Sequence, residues 1–208
     1  MEIYWRILEH MGSAVCHQMA ERSFIWQGHQ MPLCARCTGI YTGVFLAFCF
    51  YFFRKRMAGN KPFLTSQLVL SAMAILLLGA DGFFSYMGIW HSNNLLRVVS
   101  GAAMGAVLPG LILLAGNFDP AGPNETSIYQ STGELLLLMA FSLLWGLCLW
   151  KGLPILMIGA AVSVAGEICL WASVFWMVLR NVFSGKRLPY WRISLCTALG
   201  ILFLVGLR

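Results

Sequence analysis

Three cysteines and two histidines near the start of this 208-residue sequence are the residue types best suited to chemistry. They are Cys16, His17, His29, Cys34 and Cys37. The C-x-x-C spacing of Cys34 and Cys37 places two thiols on one side of a tight bend, which suits a zinc ion with Zn–S bonds of about 2.3 Å. Cys16 and one histidine would complete a tetrahedron. The other histidine is then a neighbouring group or a catalytic base, and the segment predicts a zinc site.

Thiol–disulfide chemistry is the main alternative for the same cysteines. A C-x-x-C pair at the start of a helix gains a lowered thiol pKa from the helix N-terminus, and Arg36 between the two thiols adds to this effect. Cys34 and Cys37 would then exchange electrons with Cys16 or with a membrane quinone. A third interpretation is an inert disulfide or zinc that only attaches the N-terminal segment to the first span. Methionines in the same segment leave copper open as the metal.

The rest of the chain, which must position these residues, has the composition of an integral membrane protein. It is 59% hydrophobic and 11% charged, against about 25% charged residues in a soluble domain. A bilayer core of about 30 Å needs about 20 apolar residues per helix, and the apolar stretches predict six spans. They are Thr38 to Phe53, Phe63 to Met87, Leu95 to Gly116, Gly133 to Trp150, Pro154 to Leu179 and Trp191 to Leu207. The predicted fold is therefore all-α, a polytopic membrane helix bundle with about six transmembrane helices in a single domain, residues 38–208.

Residues 1–37 are predicted to form an extracytoplasmic segment that combines an amphipathic interfacial helix with the cysteines and histidines. Apolar side chains recur at helical spacing between Met1 and Met11, as in helices that lie on a membrane surface. Basic residues next to a span stay in the cytoplasm, and the largest basic groups follow the first span and precede the sixth. The N-terminus is therefore predicted to be extracytoplasmic. The net charge of +6 is explained as an orientation signal, so no nucleic-acid partner is expected.

Charged residues at the same predicted membrane face form a candidate pocket for a substrate. Asp81 near the end of the second span and Arg97 at the start of the third are expected to meet, since ionisable groups at membrane depth usually face a partner or a cavity. The residues predicted to bind an anionic, amphiphilic or lipid-linked substrate are Arg22, Arg36, Asp81, His91 and Arg97. The candidates for a catalytic role beside a zinc-activated water are Asp81, Arg97, His17 and Arg36.

Glu167 stands alone near the middle of the predicted fifth span. A carboxyl group at this depth carries a proton, pairs with a polar neighbour or lies on an ion pathway. A neutral, hydrogen-bonded acid is the favoured interpretation. The alternative is a transporter of small solutes or ions that uses Asp81, Arg97 and Glu167.

Three motifs resemble those of a family of small prokaryotic multi-span membrane proteins of unknown function. They are C-H-Q from Cys16, R-S-F from Arg22 and P-L-C-A-R-C-T-G-I-Y-T-G from Pro32, and the resemblance continues through Asp81 and Arg97. The resemblance implies a prokaryotic cell-membrane location and a shared site at these residues, and it names no reaction. No Walker loop, dinucleotide fingerprint or H-E-x-x-H motif is present, so the sequence assigns no enzyme class.

Overall fold

The structure is a computed structural model that describes residues 2–182 of the 208. This part of the chain forms six helices and one β-hairpin: α1 (Glu2–Gly12), β1 (Ser23–Trp26), β2 (His29–Cys34), α2 (Ala35–Phe53), α3 (Thr65–Tyr86), α4 (Asn94–Asn117), α5 (Thr132–Trp150) and α6 (Leu156–Val182). By length and composition, α2 to α6 are able to cross a membrane. They agree with the first five predicted spans to within a few residues at each end. The sixth predicted span, Trp191 to Leu207, lies outside the described residues.

The spanning helices run alternately up and down, which gives the bundle two faces. At one face, Arg36 at the start of α2 contacts Asp81 near the end of α3. We call this the cysteine face, because it also carries Cys34 at the start of α2. At the other, Arg54 after α2 contacts Glu134 at the start of α5. We call it the opposite face.

A seam of glycines holds α2 closely against α4. A methyl group added at Gly39 would overlap the carbonyl oxygen of Val98, and one added at Gly105 would overlap that of Ile40. Small residues at i, i+4 spacing allow helix backbones to approach in this way. The seam packs the first candidate span on the third. It brings the first turns of α2 and α4 together at the cysteine face.

A β-hairpin leads into α2, and it corrects the all-α prediction for this stretch. The strands β1 and β2 pair antiparallel across Gln27 and Gly28, which have φ angles of 49° and 81°. Two successive positive φ angles are typical of the type I′ turn that closes two-residue hairpins. Gln-Gly is a weaker signal for this turn than Asn-Gly, and strands of four and six residues leave little periodicity to detect.

The predicted N-terminal helix is present as α1 and packs on the bundle through one side. Trp5 is only 2% exposed and lies in an apolar cluster with Met31 of β2 and Leu156 of α6. On the other side, Ile3 and Ile7 are exposed. An apolar surface of this kind fits a helix that lies against lipid, and its interfacial location stays a prediction.

Candidate metal centre

Three of the predicted metal ligands, Cys16, Cys34 and Cys37, converge at the cysteine face. Their sulfur atoms all lie within 4.8 Å of one another, and each residue is half-buried. Cys34 ends β2, and Cys37 lies in the first turn of α2, which follows directly. Cys16 follows α1 in a turn that is closed by a hydrogen bond from the Cys16 N–H to the Gly12 carbonyl. Sulfurs bound tetrahedrally to one zinc ion lie about 3.8 Å apart. The three thiols therefore fit a single metal ion.

The backbone around these sulfurs favours their negatively charged form. The N–H groups of Gln18 and Cys34 donate to the Cys16 sulfur over 3.4 and 3.3 Å. Cys34 and Cys37 lie at the N-terminus of α2, where the helix dipole favours negative charge. Hydrogen bonds from the Cys16 and Cys37 thiols lower the pKa of Cys34, and the bond with Cys34 raises the pKa of Cys16. The backbone N–H groups and the helix dipole therefore make the cluster suited to a cation, which would replace the proton that the thiols share.

Two glutamines hold the Cys16 turn against the hairpin. The Gln18 side-chain amide donates to the carbonyl oxygens of Glu9, over 2.6 Å, and Pro32, over 2.8 Å. The Gln30 amide donates in turn to the Gln18 carbonyl over 2.6 Å. These bonds place Cys16 beside the end of β2. Neither glutamine was among the predicted site residues, although Gln18 belongs to the C-H-Q motif that could have indicated its role.

The two predicted histidine ligands do not join the three sulfurs. His17 is exposed, whereas the ring of His29 stacks on Trp5, with centroids 5.3 Å apart and planes 7° from parallel. Within residues 2–182, no histidine, aspartate or glutamate completes the group. The described part of the chain thus offers three ligands for a metal ion.

A buried polar cluster adjoins the cysteines through Arg36. Its guanidinium forms an ion pair with Asp81, in which Nε donates to a carboxylate oxygen over 2.9 Å. The hydroxyls of Ser92 and Ser100 donate to the same carboxylate, over 2.5 and 3.4 Å. Asp81 is 1% exposed, and a buried carboxylate of this kind needs such partners. The C-x-x-C turn is therefore linked to α3 by a charged contact.

Arg97 does not form the predicted ion pair with Asp81, because Arg36 takes that place. The glycine seam between α2 and α4 explains the difference. Gly101 of α4 packs on the Arg36 carbonyl, and this contact brings the start of α2, with Arg36, close to Asp81. Arg97 instead donates to the Asn94 side chain over 3.1 Å. Its charge interacts with those of Arg22, Arg36 and Asp81. Three arginines thus lie close enough at the cysteine face to interact.

The other two predicted substrate-binding residues lie at the surface. Arg22 and His91 are both exposed, with Arg22 in a short helical turn before β1 and His91 in the connection between α3 and α4. Their exposure leaves them accessible to a molecule that approaches from solvent or from the membrane surface. Binding by these residues stays a prediction.

Glu167 is buried in α6. It is 1% exposed, and neither carboxyl oxygen has a hydrogen-bond partner in the described structure, so the hydrogen bond expected from the sequence is not found there. A methyl group at the preceding residue, Gly166, would overlap the Tyr41 carbonyl oxygen. Tyr41 interacts electrostatically with both Glu167 and Cys37. This buried carboxyl group is therefore close to the helix that carries the candidate metal centre.

The part of the chain that carries this site matches a known family. Residues 16–110 match the model described as "Predicted membrane protein (DUF2085)". The chain is also 35% identical over 91 residues to an uncharacterised protein of Methanothermobacter thermautotrophicus, which is 44% of this chain and 78% of that protein. The chain belongs to the DUF2085 family. Its members are predicted membrane proteins, which agrees with the five candidate spans.

A second relative is an uncharacterised protein of Methanocaldococcus jannaschii. The identity is 38% over 101 residues, which are 49% of this chain and 63% of that protein. No solved structure matches the chain. The resemblance predicted from the motifs is thus confirmed, and the DUF2085 match includes the three cysteines together with Arg36 and Asp81.

Proposed function

We propose that this DUF2085 protein binds one zinc ion through Cys16, Cys34 and Cys37, and that the metal and nearby arginines act on or bind an anionic amphiphile at the membrane surface. The convergence of three sulfurs within 4.8 Å is the observation that carries the proposal. Zinc favours sulfur ligands and tetrahedral geometry, and sites with three protein ligands leave one position for water or substrate. A bound zinc would supply an activated water or polarise a ligand oxygen.

The charges around the cluster define the ligand class. The positive charges of Arg22 and Arg36 interact electrostatically with Arg97 at this face. Arg36 is already paired with Asp81. Arg22 and Arg97 are therefore the groups that would hold a carboxylate or phosphate, since guanidinium groups match both in geometry. Exposed His17 beside Cys16 would accept or donate a proton. The ligand is expected to carry a hydrocarbon tail, because the site lies at the end of apolar membrane-spanning helices. The ligand would bind at the extracytoplasmic face.

The ligand proposal is tested with octyl phosphate added to the zinc-loaded, detergent-purified protein. Saturable binding in a calorimetric titration is expected to weaken by about tenfold, or 1.4 kcal/mol, in Arg97→Gln and after zinc removal. Lys151→Gln is the matched control, because Lys151 is a basic residue at the same face that contacts Trp150 instead of the cluster. Equal affinity in all these samples would reject the arginine and zinc site as the binding site.

Thiol–disulfide exchange is the second candidate, favoured by the third thiol. Cys16 lies within 4.8 Å of both C-x-x-C sulfurs, so it is placed to attack a Cys34–Cys37 disulfide and release one thiolate. Rapid thiol trapping of fresh membranes separates the candidates. A native disulfide that a quinone regenerates after reduction would support the redox function, whereas three free or metal-bound thiols would oppose it.

Ion transport is the third candidate, favoured by the isolated carboxyl group of Glu167. Zinc uptake into proteoliposomes, followed with an internal fluorescent chelator, would support it if uptake fell in Glu167→Gln. Glu125→Gln serves as the matched control, because Glu125 is exposed in a loop at the opposite face. Uptake that does not exceed that of protein-free vesicles would reject transport.

A further inference from the structure

A small cavity at the opposite face lies far from the metal centre. It has a volume of about 50 Å³ and is lined by residues before and within the first turn of α3 and residues that precede α5, including Lys61, Leu64, Gln67, Ser127 and Tyr129. We call it the Gln67 pocket. The 19-residue helix α2 separates the two faces, which corresponds to about 28 Å at 1.5 Å per residue. The pocket is therefore independent of the proposed zinc site.

Gln67 presents a buried donor that has no partner. The residue is 1% exposed, and its Nε2 atom makes no hydrogen bond within residues 2–182. Its Oε1 atom accepts the N–H of Leu64 over 3.1 Å, which fixes the orientation of the amide. Buried polar groups in proteins almost always have a hydrogen-bond partner. An acceptor atom bound in the pocket would therefore satisfy the unpaired Gln67 amide N–H groups.

The charges around the pocket favour a negatively charged acceptor. Lys61 makes no ion pair within the described part of the chain. The first turn of the 22-residue helix α3 contributes to the lining, and helix N-termini attract anions. Glu134 accepts the N–H of Gln130, a lining residue of the pocket, and is already paired with Arg54 and Arg56. Its negative charge is therefore compensated.

We propose that the Gln67 pocket binds a phosphoryl group, supplied either by an anionic lipid headgroup or by free phosphate. Gln67 Nε2 and the Ser127 hydroxyl donate hydrogen bonds to its oxygens, and Lys61 balances its charge. Phosphate oxygens are strong acceptors, and lysine binds them as a point charge. The pocket holds one such group and little more. For a lipid, the exposed Leu64 beside the pocket borders the rest of the molecule.

The test is a calorimetric titration of the full-length protein in an uncharged detergent, with inorganic phosphate in one arm and dihexanoyl phosphatidylglycerol in the other. Gln67→Glu keeps the acceptor oxygen for the Leu64 N–H and replaces the free donor with negative charge. Lys61→Gln changes an exposed side chain and is expected to fold normally. Lys55→Gln is the matched control, because Lys55 is a basic residue at the same face outside the pocket.

Saturable binding is expected in at least one arm, weakened about tenfold in Gln67→Glu and several-fold in Lys61→Gln, with Lys55→Gln unchanged. Binding in the lipid arm alone would identify a headgroup site, and binding in both arms would show that free phosphate suffices. The proposal is overturned if neither probe binds, in which case water fills the pocket. It is also overturned if Lys61→Gln and Lys55→Gln weaken binding equally, because the charge would then act without the pocket.

Discussion

Arg36 is the residue that couples the candidate metal centre to the helix bundle. Its backbone lies between two of the three cysteines, and its side chain pairs with Asp81 of α3, which is almost completely buried. The removal of one partner from a buried ion pair leaves an uncompensated charge, at a cost of about 3 kcal/mol or more. This single contact therefore affects both the position of the C-x-x-C turn and the stability of the bundle.

We expect Arg36→Gln and Asp81→Asn to lower the thermal midpoint of the detergent-solubilised protein by similar amounts, equivalent to about 3 kcal/mol each. The double variant should be little less stable than either single one, because the second substitution removes no further interaction. Circular dichroism at increasing temperature measures the effect. Arg97→Gln, at a residue outside the pair, is expected to have a smaller effect. Strictly additive losses in the double variant would contradict the pairing.

Cys34 is expected to be the most reactive thiol of the metal-free protein at mildly acidic pH. An ordinary cysteine has a pKa of about 8.5 and is protonated at about pH 6. Hydrogen bonds from Cys16 and Cys37 lower the pKa of Cys34, so its thiolate persists as the pH falls, whereas Cys16 has a raised pKa. Alkylation by iodoacetamide at this pH, read by peptide mass spectrometry, should therefore favour Cys34 over Cys16. Faster alkylation of Cys16 would show that the proton is shared differently.

At the residue scale, the sequence predicted which types of side chain form the centre but not all of their partners. The thiols of Cys34 and Cys37 are only three positions apart, so local geometry alone brings them together. The loss of His29 from the set depends on its stacking with Trp5, a contact between α1 and the hairpin that no local pattern reveals. The choice of Arg36 over Arg97 as the partner of Asp81 likewise depends on helix packing.

At the scale of secondary-structure elements, the glycine seam between α2 and α4 determines how the centre is assembled. The seam fixes the height of α2 relative to α4, so it sets where Arg36 and Cys37 lie relative to Ser100 and Arg97. An error in this packing would therefore disturb the site without any change in the site residues themselves.

Gly105→Ala is expected to destabilise the bundle, because the added methyl group would overlap the Ile40 carbonyl oxygen. Overpacking of this kind typically costs about 1–3 kcal/mol. Gly79→Ala in α3 is the matched control, since a methyl group there meets no atom within 4 Å. The thermal midpoint of each variant in the same detergent provides the comparison. Equal midpoints for the two variants would mean that the helices are not held this closely.

The elements themselves were predicted unevenly, for a physical reason. Burial in a bilayer requires long apolar stretches, so hydropathy alone located α2 to α6 to within a few residues. The hairpin has no such requirement. Its stability comes from contacts such as those of Gln18 with Pro32 and Gln30, which link residues far apart in the sequence.

At the scale of the whole molecule, the alternating helices place the cysteine cluster and the Gln67 pocket at opposite faces. The positive-inside rule predicts that the cysteine face is extracytoplasmic. A membrane-impermeant maleimide should therefore label His91→Cys in intact cells above the wild-type background. Asn124→Cys, in a loop at the opposite face, should be labelled only after the cells are opened. The reverse pattern would invert the orientation and place the proposed zinc site in the cytoplasm.

The zinc and thiol content of the protein, purified without added metal or chelator, tests the central claim most directly. Elemental mass spectrometry should find about one zinc per chain, as expected for a mononuclear sulfur-ligand site, with loss of the metal in Cys16→Ser and in Cys34→Ser/Cys37→Ser. Cys148→Ser, in α5 and outside the three-cysteine group, should retain it. A protein without bound metal, in which two of these three thiols become titratable only after reduction, would contradict the zinc site and establish a disulfide in its place.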